Sequence, residues 1–312
     1  MPIDPVFAFA DAVTDQLANR QQRLYALAYV RALQLHPGRP LTEALPPALY
    51  RPVRRFVAEA EWDSREVLQR AAAAVLPELE VEWLACRVST HPRGYAWAWL
   101  GASTASRTVP LDLLLAGPDG TWPADDYLSV EVELLRSVPD ALLRAAPLGI
   151  AGVLAERAEL RTWLEGRGVT YSAKVRPSSK FLGAVRADGR SRGLPDLLMK
   201  LRRSQLLQAG PGGIGWAQTP TELRDSSGTV REETLVAYWD GPHLVSATLT
   251  NERDPAAVER TYDPAAPGWL ARPRPQPSWR LPRMRGPRAW EHHLALNALL
   301  ELYLASGRSS DD

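Results

Sequence analysis

A chain of 312 residues, 45% of them hydrophobic, buries a substantial core, so disorder is excluded and one large domain with a smaller appended or inserted one is expected. No apolar run approaches the roughly 20 residues of a membrane span, MPIDPVFAF lacks a basic region ahead of an apolar block, and the expected location is cytoplasmic with no membrane partner. The one cysteine, Cys86, excludes an internal disulfide and a cysteine-built zinc site, and a formal charge of +1 is low for a protein that must grip many phosphates.

The spacing of Phe7, Val13, Leu17, Leu24, Leu27 and Val30 predicts a helical start, interrupted by the Pro-rich PGRPLTEALPPALY. A further helix is expected over roughly 51–75, with Asp63 as an N-cap and Glu66 three positions on. Residues 81–88, 95–102 and 109–116 read as three strands joined by short polar connections, a meander. A helix over about 129–146, the apolar strand LGIAGVL, a helix over 155–166 closed by Gly166 and Gly168, and a strand over 170–175 follow. Residues 177–228 are basic and Gly-rich, and GPGGIG at 210–215 is read as a turn or crossing because no Lys-Ser/Thr follows it. TLVAYW and LVSATLT are expected strands joined by DGPH; 263–288 is too Pro-rich for a helix, and Ala289 to Ala305 is an expected amphipathic helix. Three antiparallel strands followed by alternating helices and strands describe an α/β fold with a mixed sheet. The expected divisions are 1–78 helical, 79–176 core, 177–250 an inserted basic, β-rich segment, and 251–312 a Pro-rich loop and closing helix.

Charge is uneven along the chain: residues 1–169 carry −4 and residues 170–290 carry +8. The second half can face an anion, although Arg-rich, Lys-poor usage also follows from a GC-rich genome. No Gly-x-Ser-x-Gly, His-Glu-x-x-His or paired-cysteine motif supports a hydrolase or a zinc enzyme.

Three segments resemble the DDE-superfamily insertion-sequence transposases. QRLYALAYVRAL with FVAEAEWDSREVLQ is similar to that family's helical leader, LRTWLEGRGVTYSAKVRPS to the helix and strand that run into V-R-P-S, and RGPRAWEHHLALNALLELYL to the closing Trp-His-His helix. The resemblance implies an RNase H-like core behind an N-terminal helical domain, and phosphoryl transfer by two divalent ions held on carboxylates. It places Cys86 and Arg87 where the first acid belongs and Gly152 where the second belongs, while the region of the third reads ARPRPQPSWRLPR. Asp112, Asp125, Asp126, Glu131, Glu133 and Glu156 are the acids near enough in sequence to be considered as substitutes, but a rebuilt site needs geometry within about 0.5 Å. No metal and no cofactor are therefore expected, and no cutting or joining of DNA.

Two functions of different class follow. One is a metal-independent small-molecule biosynthetic enzyme, of a cyclase type, working by shape and desolvation in the vacated site. Trp97 and Trp99 alternate on one strand and so share a face, where they either pack a helix or stack on a planar or polyene ligand. Arg87, Glu156, Trp279, Arg283 and His292 complete the candidate pocket, the arginines suiting an anionic group. Adjacent His292 and His293 point about 100 degrees apart on a helix and do not converge on one metal. The other function is a non-cleaving DNA-binding or regulatory protein, against which near-neutral charge predicts weak or absent nucleic-acid binding.

Overall fold

The computed structural model describes residues 17, 19–36, 39–90, 95–116, 127–178, 183–185, 191–204, 208–209, 214–224, 228, 230–253 and 286–306. The fold is mixed α/β and divides into two compact units, 1–145 with 274–312, and 146–273.

The first unit opens with helix α1 (Arg20–Leu35), whose end is capped by the Asn19 side chain accepting from the Gln22 N–H at 2.8 Å. The helix ends ahead of the Pro-rich stretch as expected, and that stretch itself forms the short α2 (Leu41–Ala44) and starts α3 (Pro47–Glu59). Pro46 and Pro47 stand at the N-cap and first helical positions, where a missing N–H costs no intrahelical bond. The single helix expected over 51–75 is two, since α4 (Ser64–Val75) begins afresh at Asp63, which accepts from the Glu66 N–H at 2.9 Å as anticipated. After a 3-10 turn (Leu76–Glu78) come β1 (Trp83–Thr90), β2 (Ala96–Ser103) and β3 (Thr108–Ala116), an antiparallel meander within two residues of the expected bounds. A bulge between Leu100 and Gly101 shifts the β2–β3 register by one residue. The helix expected over 129–146 breaks at Pro139 into α5 (Tyr127–Ser137) and α6 (Asp140–Leu143).

The closing helix of this unit, here α10 (Pro287–Ala305), packs against α1, α3, α4 and β3. Every residue from His292 to Leu300 is buried, so the helix is covered on all sides and is not amphipathic as expected. Among the described residues no helix is long and apolar enough to cross a membrane.

The second unit starts with β4 (Leu148–Ala151), shorter than the strand expected because Gly152, at φ +62°, turns the chain into α7 (Gly152–Glu156). Helix α8 (Ala158–Gly166) closes as anticipated, with left-handed Gly168 and the Val169 N–H returning to the Leu164 carbonyl at 3.0 Å. Strand β5 (Tyr171–Val175) runs parallel to β4 and antiparallel to β11 (His243–Thr250). Strands β6 (Gly183–Val185), β7 (Ser191–Gly193), β8 (Gln208–Ala209), β9 (Ile214–Arg224) and β10 (Val230–Asp240) extend the sheet in the order β4-β5-β11-β10-β9-β6-β7, with β8 also on β9. Gly241, at φ +52°, makes the expected turn between β10 and β11. Helix α9 (Leu194–Ser204) and most of β9 lie where only basic, Gly-rich chain was anticipated.

Candidate functional site

In the first unit the chemistry-bearing residues sit on the meander. Side chains alternate along a strand, so the register Cys86↔Leu100↔Asp112 puts Cys86 and Asp112 on one face. Arg87↔Trp99 and Ser89↔Trp97 share the other. Asp112 is fully buried and accepts two hydrogen bonds from Arg65 on α4, at 3.0 and 2.6 Å, and one from Gln69 at 2.9 Å. Arg65 is held in turn by the Ser137 hydroxyl at 2.9 Å. Burial pushes the Asp112 carboxyl above its usual range, while Arg65, Gln69 and the Leu113 N–H pull it back. Burial raises Glu131 on α5 to about 7. The half-buried Cys86 thiol is pushed well up by burial and further by Glu131 and Asp112, so it stays protonated and is not an activated nucleophile. Burial pulls the Arg87 guanidinium below its ordinary value.

Trp97 and Trp99 are buried core residues, and the Trp99 indole N–H donates to Ser89 Oγ at 3.0 Å. The Trp99 ring lies over Gly101, where a Cβ would stand 2.5 Å from it; here glycine is required by close approach, not by φ. On α10, buried His292 donates through Nδ1 to the Val57 carbonyl at 3.0 Å and stacks on Trp62 with ring centroids 4.4 Å apart. His293 is hydrogen-bonded to the Tyr29 hydroxyl at 2.5 Å. Both rings thus tie the closing helix to the N-terminal helices. Trp279, Arg283, Asp125 and Asp126 lie outside the described residues, and Glu133 is exposed.

In the second unit Gly152 is exposed, with nothing within 4 Å of where a Cβ would lie. Glu156, buried at the end of α7, receives both arms of Arg176 at 2.7 and 2.8 Å. Arg176 is the arginine of the V-R-P-S segment. Among the described residues no three His, Cys, Asp or Glu side chains are placed to hold a metal ion.

The second unit also contains a charged network that was not anticipated from the sequence. Arg161 on α8, 1% exposed, donates to both oxygens of Glu233 at 2.7 and 3.2 Å and to the Ala155 carbonyl at 2.5 Å. The Tyr171 hydroxyl also donates to Glu233, and burial followed by the Glu233 charge pushes its phenol well up. Arg231 donates to Tyr171 at 3.2 Å, to Glu165 at 2.5 Å and to the Thr162 hydroxyl. The signal lay in the strand pattern: Arg231 and Glu233 occupy the β10 face that continues as Leu235 and Ala237, all buried, and buried charges must find partners.

No protein-family model matches the chain, and no curated protein matches it. Beside the network lies a cavity of about 410 Å³, within the range of small-molecule sites, whose wall includes Glu165, Gln218, Glu232, Thr234, Asn251 and Arg253. Several of these groups are occupied in building the wall. Thr234 Oγ1 donates to the Glu252 carbonyl at 3.2 Å, and Thr250 Oγ1 to the Tyr171 carbonyl at 2.6 Å. Asn251 accepts from the Tyr171 N–H and donates to the Val169 carbonyl, each at 2.9 Å.

Proposed function

We propose that this chain is a transposase-derived protein with an RNase H-like core that neither cuts nor joins DNA and acts instead, without a metal, on a small molecule. The observation that carries the reading is the fate of the acids nearest the positions assigned to the missing ligands. A carboxylate that holds a divalent ion needs free oxygen lone pairs. Asp112 accepts four hydrogen bonds, two from Arg65 and one each from Gln69 and the Leu113 N–H, and Glu156 carries both arms of Arg176, so each acid is already neutralised by an arginine. The antiparallel β1–β3 meander and the parallel β4–β5 pair support the RNase H-like part of the proposal.

A biosynthetic enzyme of cyclase type would gain rate by holding a flexible substrate in a reactive shape away from water. Burial of Trp97 and Trp99 leaves the polar cavity of the second unit as the better-supported seat for the substrate. Supercoiled plasmid incubated with the protein and magnesium or manganese should remain intact. Nicking abolished by Asp112→Asn or Glu156→Gln would overturn the proposal.

A second reading, non-cleaving DNA binding, draws on α9, where exposed Lys200 and Arg203 flank a groove beside Met199, itself 49% exposed. A gel shift with unrelated duplexes decides between the two. Weak binding favours the small-molecule enzyme, and micromolar binding with a steep salt slope favours DNA.

A further inference from the structure

The cavity wall of the second unit offers few polar groups that are still unspent. Glu233 and Glu165 are tied to Arg161 and Arg231, and Thr234, Thr250 and Asn251 hold the backbone around them. Three groups remain. Gln218 Oε1 is buried and accepts no hydrogen bond, an arrangement that costs stability unless a ligand or water donates to it. The Glu232 carboxylate and the Arg253 guanidinium line the same space without an ion-pair partner among the described residues.

The sheet register sharpens the pattern. Gln218 pairs with Val236, Pro220 with Thr234 and Glu222 with Glu232, so Gln218 and Glu232 rise from one face of β9 and β10. Glu222 and Glu232 stand directly opposite one another, a like-charge pair that a cation between or beside them would relieve. An acceptor amide and an uncompensated carboxylate call for a cationic donor. A lone amine would also meet the positive Arg253, and a lone carboxylate the negative Glu232. A molecule with both charges answers both.

We propose that this cavity binds a small zwitterion of the amino-acid class, its ammonium on Gln218 and Glu232 and its carboxylate on Arg253. The inference rests on the small-molecule reading of this unit and names the ligand class for it. The buried Arg161–Glu233–Tyr171 network acts as a positioning support that fixes β10 against α8, and is not assigned contact with the ligand.

The test is isothermal titration calorimetry of the full chain with individual free amino acids, each compared with its N-acetyl and methyl-ester forms. At least one free amino acid should bind saturably, and removing either charge should weaken it by about 10-fold or more, the scale of one charge-assisted hydrogen bond. Glu232→Gln should erase the discrimination against N-acetylation, and Arg253→Gln the discrimination against the ester, while neither variant lowers the unfolding midpoint. If no free amino acid binds at millimolar concentration, or if N-acetylation and esterification leave binding unchanged, the proposal is overturned. That outcome overturns the ligand class and not the plasmid result, whereas metal-dependent nicking would sink the small-molecule reading whatever the calorimetry shows.

Discussion

Replacing Arg65 with methionine asks whether Asp112 is held as a carboxylate neutralised by arginine. Asp112 has no exposed side-chain surface and Arg65 only 20%, and they share hydrogen bonds of 3.0 and 2.6 Å. Removing one partner of a buried pair costs roughly 3–5 kcal/mol, because the other charge is stranded. Gln69 and the Leu113 N–H still bond to Asp112, which puts Arg65→Met near the lower end, about 3 kcal/mol. Asp112→Asn removes the charge but keeps the shape, and Arg65 retains Ser137, so its cost should be about 1 kcal/mol. The double variant should cost less than the sum by at least about 1 kcal/mol. The pH dependence has a definite sign. Burial already places the folded Asp112 value above the unfolded one, so its ionisation costs stability as pH rises through the carboxyl range. Without Arg65 the folded value climbs further, and the Arg65→Met deficit should shrink as acid protonates the stranded group. Urea unfolding followed by tryptophan fluorescence, at pH 7.5 and at pH 5, measures both effects. Additive single costs, or a deficit that does not change with pH, would refute the reasoning.

Glu131→Gln should stabilise the first unit at pH 8 and do nothing below the unfolded value of 4.5. The folded carboxyl, raised to about 7, makes ionisation costly across that window, by at most about 3 kcal/mol at one pKa unit per 1.36 kcal/mol, and urea midpoints across pH 4–8.5 should show the difference growing up to about pH 7. Gly101→Ala should lose about 1–3 kcal/mol in thermal or urea unfolding, since its Cβ would lie 2.5 Å from the Trp99 ring and 2.8 Å from Thr108. Gly166→Ala, with nothing within 4 Å, serves as its neutral control.

The sequence carried the meander clearly, because three strand-length segments are separated by the short polar connections HPRG and STASRT. It also carried the Asp63 cap and the closure of α8 at Gly166 and Gly168, where local chemistry alone decides the outcome. Helix α9 was legible in principle: Leu194, Leu198 and Leu201 are buried at helical spacing, but the surrounding arginines and glycines masked the stripe. Strand β9 was obscured by Pro220. Its tolerance is a tertiary fact, since β8 and β6 pair with β9 only near its two ends and, among the described residues, leave one side of Pro220 without a ladder partner. The ion pairs Arg65–Asp112, Arg176–Glu156 and Arg161–Glu233 join residues 20 to 72 positions apart, and no spacing rule links such partners. The same limit hid the cavity, whose wall draws on α8, β9, β10 and the end of β11.

Gly152 has two physical explanations that a pair of variants separates. The resemblance assigns this position to the second acid, so the glycine reads as a lost ligand. The structure adds that the residue has φ +62°, a conformation that costs most L-residues about 1–2 kcal/mol. Asparagine and aspartate are the side chains that enter this region most readily, whereas β-branched residues are excluded from it. The surroundings are open, with nothing within 4 Å of the missing Cβ, so size is not the constraint. Gly152→Asp should therefore lower stability by only about 1 kcal/mol, and Gly152→Val by clearly more, in paired thermal unfolding of the full chain. Equal losses would mean that φ does not govern the position. A small loss for aspartate would mean that the backbone still accepts an acid at residue 152, and that closure of the chain there is not what excludes one.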